Sequence, residues 1–166
     1  MIFVTVGTMI SGGSFDRLIK KMDDIAPKLK DEVIMQIASS KYVPKNTRYF
    51  RYLSYKECIN CFKKSRLVIG HCGSGTAINA INFGVPLIAV PRMSKFAEHA
   101  DNHQIELSEI LEKKYTMVKI VYDVDGLESA IVEMLNCPVG LTNKNSLQTR
   151  INLIENIKRL LNSIKD

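Results

Sequence analysis

The stretch from Leu67 to Phe83 constrains the fold most. A run of apolar residues, Leu67-Val68-Ile69-Gly70, passes through His71-Cys72-Gly73-Ser74-Gly75-Thr76 straight into a short helical segment. A buried strand that turns through glycines into a helix is half of a strand–helix–strand crossover, which belongs to a parallel sheet covered on both faces. The rest of the chain repeats this alternation. Strands are expected at 2–6, 33–37, 48–52, 67–70, 87–90 and 116–120. Helices are expected from Ser14 or Asp16 to Leu29, then over 55–64, 76–83, 100–111 and 125–135. A last helix, from about Lys144 to Ile164 within 143–165, carries an apolar stripe that docks on the domain itself or on a partner. The pattern predicts one α/β domain over 1–166, a Rossmann-like, doubly wound parallel sheet of about six strands. Ligands of such sheets lie beyond the carboxyl ends of the strands, where strand order reverses.

Three loops follow strands and converge on that edge. Gly73, Ser74, Gly75 and Thr76 open a helix whose free N–H groups and dipole suit an anion; read locally, a tight turn that binds nothing fits as well. No Gly-Lys-Ser/Thr follows, and the third glycine of the dinucleotide fingerprint is missing. Gly7 and Thr8 begin a second glycine-rich loop able to close over a ligand. The third is Glu98-His99-Ala100-Asp101-Asn102-His103-Gln104, either a polar helix start or a set of amides and imidazoles suited to sugar hydroxyls. His99 and His103 lack the Glu of a zinc helix, and no metal is expected. Cys58 and Cys61 form a C-x-x-C without a second pair at finger spacing, and read as buried thiols. No nucleophile–base spacing supports a hydrolase.

The chain has 23 Lys and Arg against 17 Asp and Glu, a net charge of +6. The cations look scattered, and Lys63-Lys64 and Lys113-Lys114 fall at helix ends, where they favour the dipole. With no Trp and with Tyr and Phe dispersed, no base-stacking platform is expected, and no nucleic-acid partner. No signal peptide and no membrane span are legible, which points to the cytoplasm.

Five motifs in order carry a resemblance: Val4-Thr5-Val6-Gly7-Thr8, Phe15-Asp16-Arg17-Leu18-Ile19, His71-Cys72-Gly73-Ser74-Gly75-Thr76, Gly84-Val85-Pro86-Leu87-Ile88-Ala89-Val90-Pro91-Arg92, and Glu98 to Gln104. Together they resemble the short family 28 glycosyltransferases of the PssE type, which are similar to the C-terminal half of MurG and to the catalytic subunit of the two-component eukaryotic UDP-GlcNAc transferase. The resemblance implies the C-terminal half of a GT-B fold that binds a UDP-sugar. It implies a membrane-associated acceptor-binding partner of the PssD type, a lipid-linked acceptor in polysaccharide biosynthesis, inverting transfer, and no metal or other cofactor. The chain would lie at the inner face of the membrane through that partner.

By the same resemblance Gly73, Ser74, Gly75 and Thr76 meet the diphosphate, His103 and Gln104 the sugar, and Tyr52-Leu53-Ser54-Tyr55 the uracil. The catalytic base is expected in the partner, with His71 the alternative. Two positions depart from the family pattern. Asn79 stands where a Glu usually reads the ribose hydroxyls, and Met9 where bacterial relatives often carry His after Gly-Thr. A non-catalytic partner of another transferase is the rival reading, and charge alone suggests a nucleic-acid module.

Overall fold

Alternate residues of the short strands enter two different cores. In β1 (Ile2–Thr5), Ile2 and Val4 belong to one apolar cluster and Phe3 to the other. β4 (Leu67–His71) divides in the same way, Leu67 and Ile69 against Val68, as does β5 (Leu87–Val90), Ile88 and Val90 against Leu87 and Ala89. Side chains alternate across a pleated strand, so a sheet buried on both faces reads as an unbroken apolar run. With β2 (Val33–Gln36), β3 (Arg48–Phe50) and β6 (Val118–Ile120), these strands form a six-stranded parallel sheet in the order β3-β2-β1-β4-β5-β6. The computed structural model describes residues 1–8, 13–99 and 103–136. The expected helix over 143–165 lies outside them.

The strand order reverses between β1 and β4, and the helices that follow those two strands cover opposite faces. α1 (Asp16–Ile25) buries Leu18, Ile19, Met22 and Ile25 in the first cluster, and α3 (Ser74–Phe83) buries Ala77, Ala80 and Ile81 in the second. Ligand crevices of such sheets open here, at the carboxyl ends of the strands. α2 (Tyr55–Lys64) packs Phe62 edge-on against Phe3, ring centres 5.5 Å apart. α4 (His103–Lys114) and α5 (Leu127–Asn136) complete the two layers.

Element boundaries moved for identifiable reasons. α1 stops at Ile25 rather than Leu29, because Pro27 has no N–H to give the carbonyl of Asp23. That carbonyl accepts the side-chain amide of Asn46 instead, at 3.2 Å. The Asp23 carboxylate accepts the backbone N–H groups of Lys45 and Asn46 and the hydroxyls of Tyr42 and Thr47. The segment between β2 and β3 is thereby fastened along α1. β6 begins at Val118 rather than Thr116, since the chain is still turning at Tyr115, whose carbonyl accepts the Val118 N–H at 2.9 Å. α4 runs on to Lys114, with Lys113 and Lys114 in its last turn, as Lys63 and Lys64 are in that of α2.

Candidate functional site

Gly73 is the residue before α3, with extended dihedrals and no side chain to cap the helix. The Ala77 N–H makes the first intrahelical bond, to the Gly73 carbonyl at 3.0 Å. The N–H groups of Ser74, Gly75 and Thr76 precede that bond, so they are the ones a helix start offers to an anion. A Cβ built on Gly75 would meet nothing within 4 Å, so this residue borders open space. Gly84, at φ +65°, closes the helix in the left-handed conformation.

Gly73 and Gly7 have a different task. A Cβ on Gly73 would lie 2.3 Å from Nε2 of His71, and one on Gly7 would lie 2.7 Å from Cε1 of the same ring. The two glycines are the walls of a slot that holds the imidazole. Gly7 also sits at φ +73°, which glycine adopts freely. Its N–H donates to Thr5 Oγ1 at 3.1 Å, and Thr5 Oγ1 donates to Gln36 Oε1 at 2.9 Å. The Nδ1 of His71 stands 3.3 Å from Thr76 Oγ1. Burial of the ring, and secondarily the Arg92 charge, push the His71 pKa down to about 3. So weak a base takes little part in proton abstraction near neutral pH, and neutral His71 acts as a strut between β1 and the α3 turn.

Around this slot lies a cleft of about 460 Å³. Its wall includes Gly7, Thr8, Leu53, Tyr55, His71, Gly73, Ser74, Gly75, Thr76 and Asn79, all singled out from the sequence. It also includes Thr5, Gln36, Cys58 and Phe62. Among the described residues the wall holds no Lys, Arg, Asp or Glu, so there a bound anion would be met by backbone N–H groups, the hydroxyls of Thr8, Ser74 and Thr76, and the α3 dipole. Gly75 and Asn79, four apart, share one face of α3 and both reach the cleft. On the opposite side Leu53 and Tyr55 present apolar surface. Ser54 between them is committed to a capping box with Glu57, and Tyr52 points away to solvent. Of the residues missed, Gln36 had a signal, a lone polar residue ending an apolar strand. Cys58 and Phe62, on the inner side of α2, had none beyond helical spacing.

His103 and Gln104 are not part of this wall. Gln104 is buried, and its side-chain oxygen accepts the Arg92 N–H at 3.1 Å. His103 begins α4 at an exposed position. Asp101, Asn102 and Met9 lie outside the described residues. Glu98 faces inward and accepts from Arg17 and from the Met93 N–H. Arg92, buried beside it, donates to the Val6 carbonyl and lies 5.2 Å from the Phe15 ring centre. Burial lowers its pKa to about 10, with Glu98 opposing, so it remains a cation at neutral pH. The thiols of Cys58 and Cys61 are half-buried on α2, and burial raises both pKa values; that of Cys72 is pushed up to about 12. Protonated thiols are poor nucleophiles and poor metal ligands.

Residues 1–161 match the family model of the glycosyltransferase family 28 C-terminal domain. The human UDP-N-acetylglucosamine transferase subunit ALG13 is 32% identical over 124 residues, which cover 68% of this chain and 10% of that protein. The chain thus spans about a tenth of the length of that relative. Among solved structures, the glycotransferase of kitacinnamycin superposes with a TM-score of 0.66 at 14% identity, covering 93% of this chain and 39% of the other. MurG of Acinetobacter baumannii does so with a TM-score of 0.62 at 15% identity, covering 93% and 49%. These two likenesses are of fold.

Proposed function

The chain belongs to glycosyltransferase family 28, with the Rossmann-like sheet of a GT-B C-terminal domain, and from that premise we propose that it is the donor-binding catalytic subunit of a two-component, inverting UDP-sugar transferase. One observation carries the reading. A cleft of about 460 Å³, lined among the described residues by no charged side chain, sits at the reversal of strand order, with the bare start of α3 on one side and Leu53 and Tyr55 on the other. That arrangement suits a diphosphate at Gly73 to Thr76 and a base against the apolar side. The human relative's description as a UDP-N-acetylglucosamine transferase subunit supports a nucleotide-sugar donor and a partner.

In the proposed step, an acceptor hydroxyl oxygen attacks the anomeric carbon from the face opposite the diphosphate. The bond from that carbon to the diphosphate oxygen breaks, and UDP leaves with the electron pair. The hydroxyl proton passes to a base supplied across the cleft by the partner, since His71 is too weak a base. Backbone N–H groups at the α3 start stabilise the charge growing on the leaving group, a role that requires no metal or cofactor. The finer reading follows the PssE type: a membrane-associated PssD-type partner binds a lipid-linked acceptor for polysaccharide synthesis. The chain then works on the cytoplasmic face of the membrane. Under the finer reading His103 and Gln104 meet the sugar only after the α4 start rearranges, since Gln104 is engaged by Arg92.

Calorimetric titration with UDP and UDP-sugars tests the proposal. Binding that Ser74→Trp weakens more than about tenfold is expected, and indifference to every uridine nucleotide would sink it. Asn79 in the cleft wall favours a second reading, a non-catalytic partner, because an amide holds ribose hydroxyls less tightly than a carboxylate. Transfer assays with the acceptor-binding subunit separate the two. Ser74→Trp abolishes transfer by a catalyst and leaves it intact with a helper.

A further inference from the structure

The sheet turns polar where it forms the floor of the cleft. Phe3 of β1 packs with Phe62 of α2 and Ala77 of α3, so Thr5, two residues on, faces the same side. Gln36 of β2 stands opposite Thr5 in register, and Gly70 of β4 stands on the other side of Thr5. A Cβ on Gly70 would lie 2.7 Å from the Thr5 carbonyl oxygen and 3.3 Å from Cγ2 of Thr76, so the α3 start rests against the sheet here. Neighbouring strands lie about 4.8 Å apart, which sets Gln36 about 10 Å from Gly70. Gln36 thus stands between the α3 start, above β4, and Leu53 and Tyr55, which follow β3.

A chain of hydrogen bonds fixes how the Gln36 amide is turned. The Gly7 N–H donates to Thr5 Oγ1 at 3.1 Å, and the Thr5 hydroxyl gives its one proton to Gln36 Oε1 at 2.9 Å. The amide oxygen therefore stands on the Thr5 side, and the two N–H groups of Nε2 point away from it. Among the described residues no group accepts from Nε2. Gln36 is only 2% exposed, so its side chain is almost enclosed. The sealed polar atoms without a partner are Ser40 Oγ and Arg92 Nε, and Gln36 Nε2 is not one of them. The open space that Nε2 reaches is the cleft that Gln36 lines. Two donors removed from bulk water and left unmatched cost free energy, which an acceptor on a ligand recovers.

Ribose hydroxyls donate as well as accept, and an –NH2 group cannot take their protons, whereas phosphate oxygens only accept. Pyrimidine carbonyls also only accept, but the apolar side of the cleft lies beyond Gln36, toward β3. We infer that Gln36 Nε2 donates to the phosphate that joins the nucleoside, and that the terminal phosphate is left to the N–H groups at the α3 start. This contact rests on the nucleotide-sugar reading and adds a side chain to it. A neutral donor at this point tells a nucleotide from a nucleoside. It also holds the first phosphate still while the bond to the sugar breaks one phosphate further along.

NMR titration of the full chain with uridine, UMP and UDP tests the assignment. Gln36→Met keeps the length of the side chain and removes its donors. Gln36→Glu keeps an oxygen for Thr5 and puts an anion in place of the amide nitrogen. UMP and UDP are expected to bind Gln36→Met about tenfold more weakly, and Gln36→Glu more weakly still, with uridine changed less than about threefold. Thr5→Val lets the amide turn and is expected to lose part of the same affinity, which Thr5→Ser restores. In the wild-type chain the Gln36 amide protons, assigned through their own side-chain carbons, should shift with UMP and not with uridine; this readout needs no variant to fold. Equal losses for uridine and UMP would put the contact on the nucleoside and overturn the inference. A loss for UDP alone would put it on the terminal phosphate and do the same. Unchanged UMP and UDP binding in both Gln36 variants would overturn it while leaving the nucleotide-sugar reading intact. That reading fails instead if the wild-type chain ignores all three ligands. Thermal melts of each variant report folding separately.

Discussion

Arg17 Nε donates to Glu98 Oε1 at 2.9 Å across 81 residues of sequence, and Nη2 donates to Oε2 at 3.0 Å. The same guanidinium reaches the carbonyls of Pro91 and Tyr122 and lies 4.8 Å from the Phe96 ring centre. It ties α1 to the loop after β5 and to the end of β6. Removing one member of so buried a pair leaves the other charge unmatched. Arg17→Ala is expected to cost about 3 kcal/mol in urea denaturation. Arg17→Lys recovers only part of it, because an ammonium lacks the planar fork. The double variant with Glu98→Ala should lose less than the sum of the singles.

The three glycines near the cleft are expected to differ in kind. Gly73→Ala and Gly7→Ala drive a methyl into the His71 ring and should destabilise by about 2 kcal/mol or more. Gly75→Ala enters open space and should leave stability within about 0.5 kcal/mol while weakening uridine nucleotide binding. A double-mutant cycle of Gly73→Ala with His71→Ala checks the cause, since removing the ring should relieve most of the penalty.

Two buried groups set two acid windows. His71 has a folded pKa near 3 against an ordinary value of 6.5, so the unfolded chain binds its proton first as pH falls. Its contribution is complete above about pH 6.5 and declines from there toward pH 3. Burial raises the Asp23 pKa, but the hydrogen bonds from Lys45, Asn46, Tyr42 and Thr47 outweigh it and hold the carboxyl below its ordinary 3.8. That stability is present above about pH 4 and is lost as pH falls through the folded value. Melting temperatures measured against pH should therefore show His71→Gln flattening the slope between about pH 4 and 6, with Asp23→Asn acting below it. Asp23→Asn is also expected to cost about 1–3 kcal/mol at neutral pH, because the amide cannot accept every donor.

Asn79 offers a gain-of-function test. By family resemblance a carboxylate there reads the ribose, so Asn79→Glu is expected to tighten UDP about fivefold, and Asn79→Leu to weaken it. Calorimetry with UDP and with 2′-deoxy-UDP separates ribose contact from a general change in the cleft. An equal shift for both nucleotides would remove Asn79 from the ribose site.

The sequence by itself determined the strand and helix order, the parallel sheet and the edge at which its loops converge. Those features are written in short-range periodicity: alternate residues of β1, β4 and β5 face two cores, and glycine or proline stands at the turns after β1, α1, β4, α3 and β5. Ten residues singled out for the site line one cleft for the same reason, since most follow strand ends or open α3. Only the tertiary structure decided that Gly73 makes room for His71 while Gly75 faces open space, though both read as one glycine turn. Only it paired Arg17 with Glu98, engaged Gln104 with Arg92, and brought Cys58 and Phe62 to the cleft. Local pattern reaches about one helical turn or one strand pair. Contacts between distant residues depend on how packed layers place each helix, and nothing in the neighbouring residues encodes that placement.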